Sequence, residues 1–175
     1  MVMAAPAYPV PASWTNQELV VYHGTFDGNG QNIVNSVNVS MGRSRTDFGK
    51  GFYTTTDLPQ ARSWAYRLCR NQPGRMPVVV QLTVPRDELA KLDCVWFVRG
   101  DPNAEDYWCL VKHCRKGGAV HARALPKVWY DVAIGPLAST WQQRTCYSNC
   151  DQISFHSIEA QDVLNAATTT RFLIP

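Results

Sequence analysis

No stretch of this chain approaches the roughly 20 consecutive apolar residues that a membrane-crossing helix needs, so no membrane-spanning segment is expected. Charge is scarce too. Charged residues make up 18% of the 175, and 17 Lys+Arg against 14 Asp+Glu leave a net charge of +3. A net charge that small does not argue for a nucleic-acid partner, which clustered Lys and Arg usually signal. There is no internal repeat, no charge run and no linker-like stretch. The six cysteines lack the Cys-x2-Cys knuckles of a zinc ribbon: Cys109 and Cys114 are separated by four residues, Cys146 and Cys150 by three. No metal is therefore expected. Residues 1–17 lack both the basic start and the unbroken apolar stretch of a secretory signal, being interrupted by Pro6, Pro9 and Pro11. They read as a Pro/Ala-rich arm, and a cytoplasmic location is expected over a secreted one.

What is present is the material of a packed domain. Apolar residues are 45% of the chain, and residues 18–175 can bury a real core as one mixed α+β domain. Most of the cysteines sit in apolar segments and read as small hydrophobes. The aromatics (6 Trp, 7 Tyr and 6 Phe) supply much flat, stacking-capable surface. Most are expected in the core, including Trp96, Trp108 and Trp129.

Periodicity assigns the elements. Leu19–His23 reads as a strand with Leu19, Val21 and His23 on one face, and Gly28–Ser36 as a short helix. Gly49 and Gly51 mark a turn into a second strand, Phe52–Thr55. Asp57 then reads as an N-cap with Pro59 in the first turn, opening a helix whose apolar stripe is Leu58, Ala61, Trp64, Ala65 and Leu68. Pro77–Val84 alternates as a strand, with Val78, Val80, Leu82 and Val84 inward. A short apolar run follows at Val95–Val98. Asp101-Pro102 opens a helix that ends at Gly117-Gly118. Val128–Ile134 reads as a strand closed by Gly135-Pro136, and Asp151–His156 as another. Ser157–Asn165 reads as a last helix, followed by an apolar tail, Phe172–Ile174.

Three segments carry residue types suited to chemistry: Tyr22-His23-Gly24-Thr25, then Gly49-Lys50-Gly51-Phe52-Tyr53-Thr54-Thr55, which with the preceding Asp47-Phe48 forms the motif Asp-Phe-Gly-Lys-Gly-Phe-Tyr, then Asp151-Gln152-Ile153-Ser154-Phe155-His156. Singly each has an ordinary reading. His23 at a strand end can be a structural histidine, Gly49 and Gly51 an ordinary turn, and Trp64, on its helix stripe, core packing first. Taken in order, the three segments resemble the histidine–tyrosine–glutamate branch of the ADP-ribosyltransferase superfold. Within it they are most similar to domain-of-unknown-function family 3990, over about residues 19–165.

The resemblance implies a split β-sandwich of mainly antiparallel strands, with flanking helices around an NAD cleft. It also implies cleavage of NAD between nicotinamide and ribose, through an oxocarbenium-like state. His23 would bond a ribose hydroxyl of the adenosine half, and the backbone of Gly24 would pair with the nicotinamide carboxamide. Tyr53 would stack on the nicotinamide ring, with Trp64 as a second aromatic. Thr25 and Thr54 would complete the binding segments. Arg45, with Arg43 and Lys50, suits the pyrophosphate as well as it suits a solvated basic loop.

One residue departs from the pattern. Gln152 stands where the family carries glutamate, keeping the hydrogen bonds but offering only a dipole to the growing positive charge. His23, Tyr53 and Gln152 are the expected catalytic residues, and restoring the carboxylate by Gln152→Glu is expected to sustain or raise the rate. A mono-ADP-ribosyltransferase, of the kind found in toxins and effectors, is the first expectation. NAD glycohydrolase activity and a non-catalytic NAD-binding module are the alternatives. The acceptor is open among protein, nucleic acid, small molecule and water.

Overall fold

The computed structural model describes residues 18–70, 72–98, 105–118 and 130–173. Seven strands and five helices follow in the order β1 (Leu19–Phe26), α1 (Asp27–Asn35), β2 (Phe52–Thr54), α2 (Leu58–Arg70), β3 (Pro77–Val84), α3 (Arg86–Leu89), β4 (Cys94–Trp96), α4 (Glu105–Arg115), β5 (Val132–Thr140), β6 (Thr145–Phe155), α5 (Ile158–Ala166) and β7 (Thr168–Leu173). They build two sheets, one three-stranded in the order β1-β3-β7 and one four-stranded in the order β2-β6-β5-β4. All pairings are antiparallel except β4 with β5. This is the expected α+β architecture of mainly antiparallel sheets with flanking helices.

Hydrophobic alternation glues the sheets face to face. Val21, Val80, Leu82 and Val84 of the first sheet meet Phe52, Val132, Ile153 and Phe155 of the second in one buried cluster, which α5 closes with Ala160 and Leu164. Ser157 caps α5, its side chain accepting from the Ala160 N–H. The outer face of the second sheet carries a second cluster of Phe48, Tyr107, Val111, Ala133 and Ala138, roofed by α4. On the first sheet, α2 lies across β1, and Gly24 makes that approach possible. An ideal Cβ there would fall 2.0 Å from the Ala61 carbonyl oxygen.

Several expectations are corrected. Gly135-Pro136 does not end a strand, because β5 runs on to Thr140. β4 covers β5 only from Val132 to Ile134, so Pro136 sits where no neighbour on that side asks for its missing N–H. β6 starts at Thr145, six residues before the expected Asp151. The described part of the apolar tail belongs to a strand, β7, with Phe172 pairing to Val79 and Leu173 to Val78. Trp96 is 72% exposed and Trp64 46% exposed, so neither is core, whereas Trp108 packs against the outer cluster. Of the cysteines only Cys114 is buried, and Cys94 and Cys109 are exposed. The expected N-terminal arm, the Asp101-Pro102 helix start, the Val128–Trp129 strand start with Trp129, and Ile174 lie outside the described residues.

Candidate functional site at the split between the sheets

Among the described residues the two sheets touch edge to edge at one isolated bridge. Tyr22 and Thr55 exchange both backbone hydrogen bonds, at 2.8 and 3.0 Å, and the strands β1 and β2 diverge beyond it. Alternation then fixes what faces the opening. Because the N–H and C=O of Tyr22 point toward β2, those of Gly24, two residues on, point the same way and not toward β3. No ladder or bridge pairs Gly24 with β2 among the described residues, so a buried glycine turns one backbone donor and one backbone acceptor toward the split.

His23 reaches across this opening. Its ring stacks on Phe52 with centroids 4.5 Å apart, and Nδ1 lies 2.6 Å from the Tyr53 carbonyl oxygen. A carbonyl only accepts, so Nδ1 carries the proton. Burial lowers the pKa of the half-buried ring, against the opposing pull of that carbonyl bond. The resulting neutral tautomer leaves Nε2 as an acceptor, and no described residue bonds to it.

Tyr53 and Gln152 leave the other face of the second sheet. Tyr53 pairs with Ser154 across β2 and β6, so Tyr53, Gln152 and Ser154 point one way, while Phe52, Ile153 and Phe155 point into the core. The structure thus brings Tyr53 and Gln152 onto one face, and the His23 ring lies with Phe52 on the opposite one.

The Tyr53 hydroxyl is held by the turn before its strand. It donates to the Gly49 carbonyl at 2.8 Å, accepts from the Phe48 N–H at 3.0 Å, and lies 2.8 Å from the Thr46 hydroxyl. Gly49 has φ +84, the left-handed conformation that glycine adopts without penalty. Burial first, partly offset by the Thr46 bond, holds the Tyr53 phenol well above its ordinary range. It is a ring fixed by its hydrogen bonds.

Gln152 is 4% exposed and both its amide protons are committed. Nε2 donates to Asp47 Oδ2 and to the Pro136 carbonyl, each at 2.8 Å. Asp47, 1% exposed, also accepts from the Ala138 N–H at 2.9 Å and from Arg115, whose Nε lies 2.7 Å and Nη2 2.5 Å from Oδ1. Burial, then the Asp47 charge, pushes the nearby Cys114 thiol up to about 11. Ser154 donates to the Ala133 carbonyl at 3.1 Å and lies 2.8 Å from His156 Nε2, while His156 Nδ1 is 2.8 Å from the Lys50 carbonyl.

The remaining expected residues have these places. Thr25 is buried on β1. The Thr54 hydroxyl donates to the Ile153 carbonyl at 3.0 Å. Trp64 is exposed on α2, with the Arg67 guanidinium 5.5 Å from its ring centre. Arg45 is exposed with φ +62, its side chain along Gly117 at the end of α4 and its carbonyl accepting from Arg115 at 3.4 Å. Sequence reasoning missed Asp47 and Arg115. Asp47 stood in the quoted motif, but only as part of a turn, and nothing in the spacing tied it to residue 115 or 152.

A family model described as "protein of unknown function (DUF3990)" matches residues 19–166, which spans β1 to α5 and every residue of the site. The chain belongs to this family. No curated protein and no solved structure matches it. Among the described residues, no helix is long and apolar enough to cross a membrane.

Proposed function

We propose that the chain is an NAD-dependent mono-ADP-ribosyltransferase. The observation that carries this reading is the backbone donor and acceptor that buried Gly24 turns toward the split between β1 and β2, set beside His23. One donor and one acceptor, fixed side by side on a strand, are the complement of a primary carboxamide such as that of nicotinamide. The neutral Nε2 of His23 complements a sugar hydroxyl.

In this reading Gly24 grips the carboxamide through its backbone, and His23 accepts from a ribose hydroxyl of the adenosine half. Tyr53 stacks on the nicotinamide, its ring angle fixed by the turn at 46–49. Gln152 accepts from the hydroxyls of the ribose whose bond breaks. Departure of nicotinamide leaves positive charge on that ribose, and a buried amide oxygen stabilises it less than a carboxylate would. The reaction is therefore slow, and transfer to one acceptor fits it better than chain building. Arg45 and exposed Trp64 serve the pyrophosphate and the outer side of the nicotinamide.

NAD labelled in the adenine half separates the possibilities. The proposal expects nicotinamide release together with label on a macromolecule or small molecule. Free ADP-ribose without any added acceptor would make the chain a glycohydrolase. A rise in thermal midpoint with NAD but no release would make it a binding module. Absence of both release and stabilisation would contradict an NAD site.

A further inference from the structure

Gln152 is held as no isolated glutamine would be. Its two N–H groups face two acceptors, the Asp47 carboxylate and the Pro136 carbonyl. Neither can donate, so the amide has one orientation, with Nε2 toward Asp47 and Oε1 away from it. The residue is 4% exposed, yet Oε1 accepts no hydrogen bond from any described residue. A buried amide oxygen without a donor is costly unless something supplies one.

We infer that Asp47 is a positioning residue: its carboxylate anchors the Gln152 amide so that the site presents Oε1 alone, an acceptor reserved for a hydroxyl of the ligand. This deepens the reading above and rests on it for the identity of that ligand. The anchored amide reproduces, toward the ligand, the acceptor-only character of a carboxylate. Its dipole is aligned by the Asp47 charge behind it, so part of that charge is felt at Oε1. Arg115 and the Ala138 N–H in turn hold the Asp47 carboxylate in place.

The arrangement reverses the expectation for Gln152→Glu. A carboxylate oxygen in place of Nε2 would stand at hydrogen-bond distance from Asp47 Oδ2 and from the Pro136 carbonyl, with nothing to bond to either. Restoring the family's acid would therefore break the site, not improve it. Two like charges at that distance in a buried site are strongly unfavourable.

The test is a double-mutant cycle on the whole chain, comparing wild type, D47N, Q152E and D47N/Q152E by thermal unfolding and by nicotinamide release from NAD. Q152E is expected to lower Tm by roughly 5 °C or more and to reduce kcat by roughly tenfold or more. D47N removes the charge of one of the two acceptors while the Pro136 carbonyl still holds Nε2, so it is expected to loosen the amide and reduce kcat with a smaller loss of Tm than Q152E. The double variant restores a donor opposite an acceptor and should regain part of both. Losses that simply add would overturn the anchoring.

Should Q152E fail to fold, a folded double variant is itself the rescue. If neither folds, wild-type 15N spectra decide: the Gln152 side-chain NH2 protons should be protected from solvent exchange, and fast exchange would overturn the proposal. A wild type that shows the stability coupling but releases no nicotinamide would sink the reading of NAD cleavage and leave the anchor standing. A wild type that releases nicotinamide without coupling would do the opposite.

Discussion

At the residue scale, the imidazole of His23 joins the first motif segment to the second through one bond, from Nδ1–H to the Tyr53 carbonyl at 2.6 Å. Burial lowers its pKa below the ordinary 6.5, so the folded state holds this ring neutral where the unfolded chain protonates it. Below about pH 6.5 the unfolded state binds the extra proton, and stability falls as pH drops from there toward the folded pKa. Wild type should therefore lose thermal midpoint between pH 7 and 5 more steeply than His23→Gln. Equal slopes would place the His23 ring in a solvated setting. Tyr53→Phe removes the acceptor of the buried Phe48 N–H and the donor to Gly49. The expected loss is about 1–3 kcal/mol in chemical unfolding. The identities of His23 and Tyr53 were legible in the sequence because their segments occur in a recognisable order. Asp47 was not, since its partners Arg115, Ala138 and Gln152 lie 68 to 105 positions away and only folding brings them together.

At the scale of elements, periodicity served the buried strands and failed where register and edge position decide. The valine-rich run of β3, central in its sheet, reads directly as a strand, and all of Val78, Val79, Val80, Leu82 and Val84 are buried. In β5 the Gly135-Pro136 pair looks like a stop, but the partner strand that would have needed the Pro136 N–H ends one pair of residues earlier. Its carbonyl instead becomes one of the two acceptors that hold Gln152. The amphipathic stripe of α2 was legible, yet the contact is made by its small residues Ala61 and Ala65, with Trp64 turned outward. That packing explains Gly24 in a way no motif could. Gly24→Ala puts a methyl group 2.0 Å from the Ala61 carbonyl, so α2 must move off β1. A loss of about 3 kcal/mol is expected in chemical unfolding, and a neutral substitution would mean that the helix is not seated there.

For the whole molecule, the arrangement among the described residues is two sheets sharing one core and bridged at their edges by Tyr22 and Thr55. Each motif segment lies on a strand beside that joint: the first on β1, the second on β2, the third on β6, which pairs with β2 at Tyr53 and Ser154. Mixed architecture was readable from the alternation of strand and helix patterns. How the strands sort into two sheets was not, because β7 pairs with β3 across 85 to 95 positions and β2 with β6 across 99 to 103, distances over which local pattern is silent. The central claim is that the split beside this joint holds NAD for cleavage, and it rests on Gly24, His23 and the anchored Gln152 acting together. Its most direct test is nicotinamide release from NAD by the wild-type chain and by Gln152→Ala side by side, with both checked for folding by their thermal transitions. The account predicts release by the wild type and none above background by a folded Q152A protein. Equal release by the two, or none by either, would contradict it.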